Sequence, residues 1–338
     1  MGKQSTAPWP AGVWKRHLAD AVTEVDELLE LLDLEGRLPS ATPAAADGFP
    51  LRVPRGFVAR MRKRDWSDPL LRQVLPLAAE DDRAEGFSQD PVGELAAGPA
   101  QGILHKYRGR ALVVATGACA IHCRYCFRRH FPYDEQNVSL SGVGGAIERF
   151  SRDSEIAEVI LSGGDPLLVS DSGLAEISRG LESVSGLLRL RLHTRLPVVL
   201  PERVDGPLIS WIQSLRLPLI VVIHANHANE IDGKVRRALA ALRGTGATLL
   251  NQSVLLAGVN DSVEALAGLS EALFGAGVLP YYLHMLDPVQ GAAHFAVSDD
   301  AARSLYREVA AALPGYLVPK LVREVPGAPA KVGVDLWR

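Results

Sequence analysis

All three cysteines of this 338-residue chain, Cys119, Cys123 and Cys126, fall within the single run TGACAIHCRYCFRRHFPY. Thiolates spaced by four and then three positions can converge on a soft metal centre. Three thiolates are one ligand short of a closed four-coordinate zinc site or a fully capped iron–sulfur cluster, so one coordination position stays open to a substrate. His122 or His130 could serve as a fourth ligand to zinc. The i, i+4, i+7 spacing would suit one face of a helix. Gly117 follows directly on an apolar run, however, which favours a loop wrapped around a metal.

The elements that must position these thiols show a regular rhythm. Short Val/Ile/Leu-rich runs occur at residues 111–115, 159–161, 188–192, 219–223, 248–250 and 279–283. Helical patterns lie between them at 172–184, 233–243 and 262–274. Alternation of this kind predicts βαβ units and a parallel sheet. Six units suggest an incomplete α/β barrel rather than a closed eight-fold one. Each run is followed by polar or ligand-type residues: the cysteines, then Ser162-Gly163-Gly164-Asp165-Pro166, His193-Thr194-Arg195, His224-Ala225-Asn226-His227, Asn251-Gln252 and His284-Met285. Parallel barrels place their chemistry at the C-terminal ends of strands, so the pattern points to a site there. Residues 1–100 read differently. They predict an N-terminal helical region with helices over 22–34, 57–61 and 69–77 and a Pro/Ala/Gly-rich loop over 38–50. A barrel over 101–315 and a C-terminal segment over 316–338 complete the expected organisation.

C-x3-C-x2-C after the first strand of a partial barrel, with Tyr125 before the last cysteine, resembles the radical S-adenosylmethionine superfamily. That resemblance implies a (βα)6 TIM-like partial barrel, with three thiolates holding a [4Fe–4S] cluster whose open iron binds S-adenosyl-L-methionine. Ser162, Gly163, Gly164 and Asp165 are similar to the segment that holds the methionine amino group, and His224 and Gln252 are expected to contribute to cofactor binding.

The resemblance narrows, over about Asp68 to Lys331, to the lysine 2,3-aminomutase family. It is carried by DPLLRQVLP at 68–76, Arg128-Arg129, SGGDPL, RLPVVLP at 195–201, LLAGVND at 255–261 and Lys331. It implies a pyridoxal 5′-phosphate enzyme whose cofactor is held as a Schiff base by Lys331, with Lys106, Tyr107 and Arg110 around it. Lys106 stands where the free-lysine enzymes have arginine, which exchanges a forked contact for a point charge. The same resemblance places Arg128 on the substrate α-carboxylate, and Asp261 and Glu324 on the ε-ammonium of L-lysine. The run TGACAIHCRYCFRRHFPY is similar to the branch that makes (R)-β-lysine for elongation factor P. That implies a functional link to the lysyl-ligase of that factor and an external electron donor such as a flavodoxin. The free-lysine enzymes also carry C-terminal cysteines for an intersubunit metal. None follows Cys126 here, so no structural zinc and a monomer or dimer are expected.

A formal charge of −3, with 36 basic and 39 acidic residues, gives no support for nonspecific nucleic-acid binding. No apolar stretch approaches the roughly 20 residues needed to span a bilayer. The opening MGKQSTAPWP lacks the apolar core of a secretory signal, and a cytoplasmic protein is expected. Two other readings remain at this stage: production of free β-lysine for another pathway, and a non-catalytic iron–sulfur or zinc module.

Overall fold

All six apolar runs form strands in the computed structural model, which describes residues 7–34, 48–94, 102–133, 140–152 and 155–335. They are β2 (Arg110–Thr116), β3 (Glu158–Gly163), β4 (Arg189–Thr194), β5 (Leu219–His224), β6 (Thr248–Val254) and β7 (Leu279–His284). All six pair in parallel and in sequence order. The sheet continues beyond them. β8 (Lys320–Arg323) is a seventh parallel strand, while β1 (Ile103–Tyr107) and β9 (Val332–Gly333) add antiparallel rims. The order runs from β1 to β9, and among the described residues no ladder joins the two ends, so the barrel is open. The last two strands are too short and too polar to register as apolar runs, and they carry the C-terminal segment into the same sheet.

Helices at Asp171–Leu181, Gly233–Gly244 and Val263–Gly275 match the expected ones to within a few residues. Their starts are set by Ser170, Asp232 and Ser262, whose side chains accept from Gly173 N, Val235 N and Ala265 N. Each cap satisfies an amide that the first helical turn leaves without a partner. β3 is buried along its whole length, as a strand covered on both faces must be. In β4, Leu190 and Leu192 are buried, whereas Arg191 and His193 are only partly covered and line the barrel's cavity. The period-two alternation of a strand thus divides core from site.

The N-terminal region forms short helices at Val13–Ala19, Val25–Leu31 and Arg55–Val58, then a single 3-10 turn at Leu71–Gln73. Trp14, Leu28 and Phe57 enter the same apolar core as Leu161 and Val221. The helix expected over 69–77 shrinks to that turn, and Asp68 accounts for it. Its buried carboxylate accepts from Leu70 N and Leu71 N, pinning the chain just before and after Pro69. Positions 38–47 of the expected loop lie outside the described residues.

Candidate active site

A cavity of about 470 Å³ opens at the C-terminal ends of the strands, and all three thiols line it. This size is typical of cofactor clefts. The cysteine loop sits against the end of β3 so closely that side chains are excluded. A Cβ on Gly164 would lie 2.2 Å from Ala118 O, and one on Gly163 2.4 Å from Thr116 O. Gly163 also has φ +116, a conformation open to glycine. The two glycines therefore let β3 abut the thiol-bearing loop itself, which fixes where the sulfurs stand. Asp165 locks the arrangement from below. Its carboxylate accepts from Leu167 N, Thr194 Oγ1, Arg195 N and Leu196 N, at 2.7–3.0 Å. Burial raises its pKa to about 6 despite these bonds. Ser162 accepts from Arg128 Nη1 at 3.2 Å.

The donor set suits an iron–sulfur cluster. Burial pushes the Cys126 thiol up to about 11, and burial together with Cys126 and Asp165 raises Cys119 further. Partly buried thiols held protonated by desolvation become thiolates when a metal supplies the compensating charge. Neither histidine proposed for zinc turns to the sulfurs: His122 Nδ1 is 2.7 Å from Pro50 O, and His130 Nε2 is 3.1 Å from Gln290 O. Among the described residues, no three His, Cys, Asp or Glu side chains close on a single metal ion.

Lys331, Glu324, Tyr107 and Arg110 line the same cavity. Lys331 Nζ donates to Glu324 Oε2 at 2.7 Å, and Tyr107 donates to the other oxygen of the same carboxylate. Lys331 Nζ lies 5.8 Å from the Tyr282 ring centre, and the Arg110 guanidinium 4.6 Å from that of Tyr107. Arg110 Nε, Arg191 Nε and His193 Nε2 are buried without a protein partner, as expected of groups disposed toward a bound anion. Burial first, with help from neighbouring cations, keeps His193, His224 and His284 neutral, His224 down to about 3. Lys106 belongs to β1, but its side chain lies outside the described residues.

Arg128, expected at the substrate carboxylate, is held by a protein carboxylate. Its Nε and Nη2 donate to the two oxygens of Glu94 at 2.7 and 2.8 Å, with both side chains buried. Burial alone would lower the Arg128 pKa, but Glu94 outweighs it and holds the guanidinium firmly charged. Breaking a buried pair by removing one charge is costly, so Glu94→Gln should lose about 3 kcal/mol of stability, read as a lower unfolding midpoint. An unchanged midpoint would show the pair to be dispensable.

Asp261 corrects the sequence reading. It is exposed, accepts from Gly258 N at 2.9 Å and lies outside the cavity, a turn residue after a glycine at φ +70. Asp287 lines the cavity instead, together with Glu324 and Lys331. Its signal was its place just past the sixth apolar run, where the reading had stopped at His284-Met285. His224 and Gln252 line the cavity, from within β5 and β6 rather than from the loops after them. Glu94 had no periodicity to mark it.

An open parallel barrel whose one cavity gathers thiols, an amine, carboxylates and cations defines an α/β-barrel enzyme with its chemistry at the strand C-termini. The chain matches no protein-family profile. It is 50% identical over 324 residues to L-lysine 2,3-aminomutase of Escherichia coli K12, covering 96% of this chain and 94% of that one. It is 46% identical over 318 residues to the protein of the same name from Haemophilus influenzae, covering 94% of each. The Clostridium subterminale L-lysine 2,3-aminomutase is 30% identical over 331 residues, 98% of this chain and 79% of that one. Among solved structures, a radical SAM methyltransferase from Sphaerobacter thermophilus overlaps 65% of this chain and 68% of its own, at 18% identity and a TM-score of 0.46. The chain belongs to the L-lysine 2,3-aminomutase family and is an isomerase.

Proposed function

We propose that the protein converts L-lysine to β-lysine by moving the amino group from C2 to C3. A [4Fe–4S] cluster on Cys119, Cys123 and Cys126, S-adenosyl-L-methionine beside it, and pyridoxal 5′-phosphate on Lys331 are the cofactors of this reading. The cluster and S-adenosylmethionine supply a one-electron route to hydrogen removal when bound, and pyridoxal phosphate supplies the conjugated system over which nitrogen moves. The observation that carries the reading is a single cavity lined by both the three thiols and Lys331.

The chain's own part is position and charge. Glu324 accepts from Lys331 Nζ and can take the proton that a nucleophilic amine must lose. Tyr107 holds the second Glu324 oxygen and so fixes the carboxylate's orientation. Arg110, Arg191 and His193, with buried nitrogens free of protein partners, suit a phosphate. Glu324 and Asp287 give the same cavity two carboxylates for an ε-ammonium, and Arg128 offers a fork for an α-carboxylate once Glu94 yields it. Holding both ends of the substrate presents one carbon to the reacting cofactor and restricts the chemistry to it.

The resemblance of the cysteine run supports a role in elongation factor P β-lysylation, with a lysyl-ligase as partner and a flavodoxin-type electron donor. No helix among the described residues is long and apolar enough to cross a membrane, and the three free thiols suit a reducing cytoplasm.

The test is anaerobic incubation of reconstituted enzyme with L-lysine, dithionite and S-adenosylmethionine, followed by chiral analysis for β-lysine. A fully loaded enzyme that makes none overturns the reading. In the same assay Asp287→Asn should raise KM for lysine by roughly tenfold or more, the worth of one charge-assisted contact, while Asp261→Asn leaves it unchanged. The reverse pattern would return the ammonium site to Asp261.

A further inference from the structure

Arg195 lines the cavity and donates four side-chain hydrogen bonds. It follows β4 directly, and its backbone is fixed by the Asp165 carboxylate. Its guanidinium reaches under the cysteine loop. Nη1 donates to Cys123 Sγ at 2.6 Å and to Tyr125 Oη at 2.8 Å. Nη2 donates to Gln73 Oε1 at 2.7 Å and to Glu230 Oε2 at 3.0 Å. Asn226 Nδ2 binds both Gln73 Oε1 and Tyr125 Oη, and Glu230 accepts from Asn226 N at 2.8 Å and His227 N at 3.1 Å. Arg195 is 7% exposed and Glu230, Gln73 and Asn226 not at all. A charged network this dry is costly to assemble unless it is fully connected. One of its contacts, from Arg195 Nη1, ends on a thiol of the cavity.

We infer that Arg195 is a positioning residue that sets the reduction potential of the centre held by Cys123, with Glu230 as the counterweight to its charge. The inference rests on the cluster reading of the three thiols. Hydrogen bonds to cluster sulfurs and nearby charge are the levers by which proteins tune such potentials. The electron that enters comes from a low-potential one-electron donor such as dithionite, which is oxidised as the cluster is reduced. Reduction adds one negative charge to a centre that already carries thiolates. A guanidinium donating to one of those sulfurs stabilises the reduced form more than the oxidised form. Glu230 opposes this, because its carboxylate lies on the other side of the same guanidinium and cancels part of its field. The two residues therefore act in opposite directions on one quantity.

That opposition separates the proposal from a merely structural role. The experiment is EPR-monitored potentiometry on anaerobically reconstituted full-length protein, with iron and sulfide measured on each sample first. Arg195→Gln should lower the reduced-to-oxidised ratio at fixed poise about tenfold, a midpoint 59 mV more negative for a one-electron couple. Glu230→Gln should move the midpoint the opposite way, and Arg195→Lys should restore part of the loss. If Arg195→Gln fails to load iron, the sign of the Glu230→Gln shift decides by itself. Loaded variants whose midpoints coincide with wild type, or shift in the same direction, overturn the proposal while leaving the cluster in place. A wild-type protein that takes up no iron and sulfide overturns both this proposal and the function it rests on.

Discussion

Lys331→Ala is expected to lose the visible absorbance of bound pyridoxal phosphate and to form β-lysine at least about a thousandfold more slowly, since the amine proposed to anchor the cofactor, the one lysine lining the cavity among the described residues, is gone. The structural cost should be small. Lys331 is 24% exposed, its one ion pair is with Glu324, and Tyr107 still donates to that carboxylate in the variant. Lys331→Arg sharpens the test because it keeps a cation beside Glu324 but offers no nucleophilic amine. Equal melting temperatures for the wild type and both variants, with absorbance and turnover lost in both, would place the effect in chemistry. A Lys331→Ala protein that still binds the cofactor covalently would move the anchor elsewhere.

Cys126→Ala should lose most of its iron and sulfide and at least about four orders of magnitude in turnover, because two thiolates cannot hold a cluster with a defined open iron. Cys119→Ala and Cys123→Ala should match it. In the metal-free protein each substitution removes one partly buried sulfur, which costs about 1 kcal/mol. Folding measured on apo-protein should therefore barely change while the metal content collapses. Wild-type iron content in any of the three would end the cluster assignment. Removing iron with a chelator is the matching experiment on the unmutated chain, with loss of turnover and recovery on reconstitution.

Residues with a strong local signature could be read directly from the chain. The six apolar runs announced six strands, because β3 is buried along its whole length and β4 and β6 bury alternate residues. The cysteine triplet announced itself by spacing, and Gly163-Gly164 by the absence of side chains where two backbones meet. What could not be read were partners fixed only by three-dimensional proximity. Glu94 meets Arg128 across 34 positions, and Arg195 meets Gln73 across 122. Asp261 shows the hazard in the other direction. An acid in Gly-Val-Asn-Asp satisfies the turn chemistry of its own loop, and that local role kept it out of the cavity. Asp287, eight positions after Leu279, had only the position of its strand to recommend it. β8 and β9 escaped notice because four and two residues are too few to show a period.

Among the described residues the sheet does not close upon itself, yet Tyr107 on its first strand touches Glu324 just past its eighth, 217 positions apart. A side-chain clasp, not a backbone ladder, therefore laces the barrel's seam. Parting it sacrifices a contact or two and leaves every strand pairing intact. The clasp lies on the carboxylate that also grips Lys331, so the seam and the amine end of the cavity share one side chain.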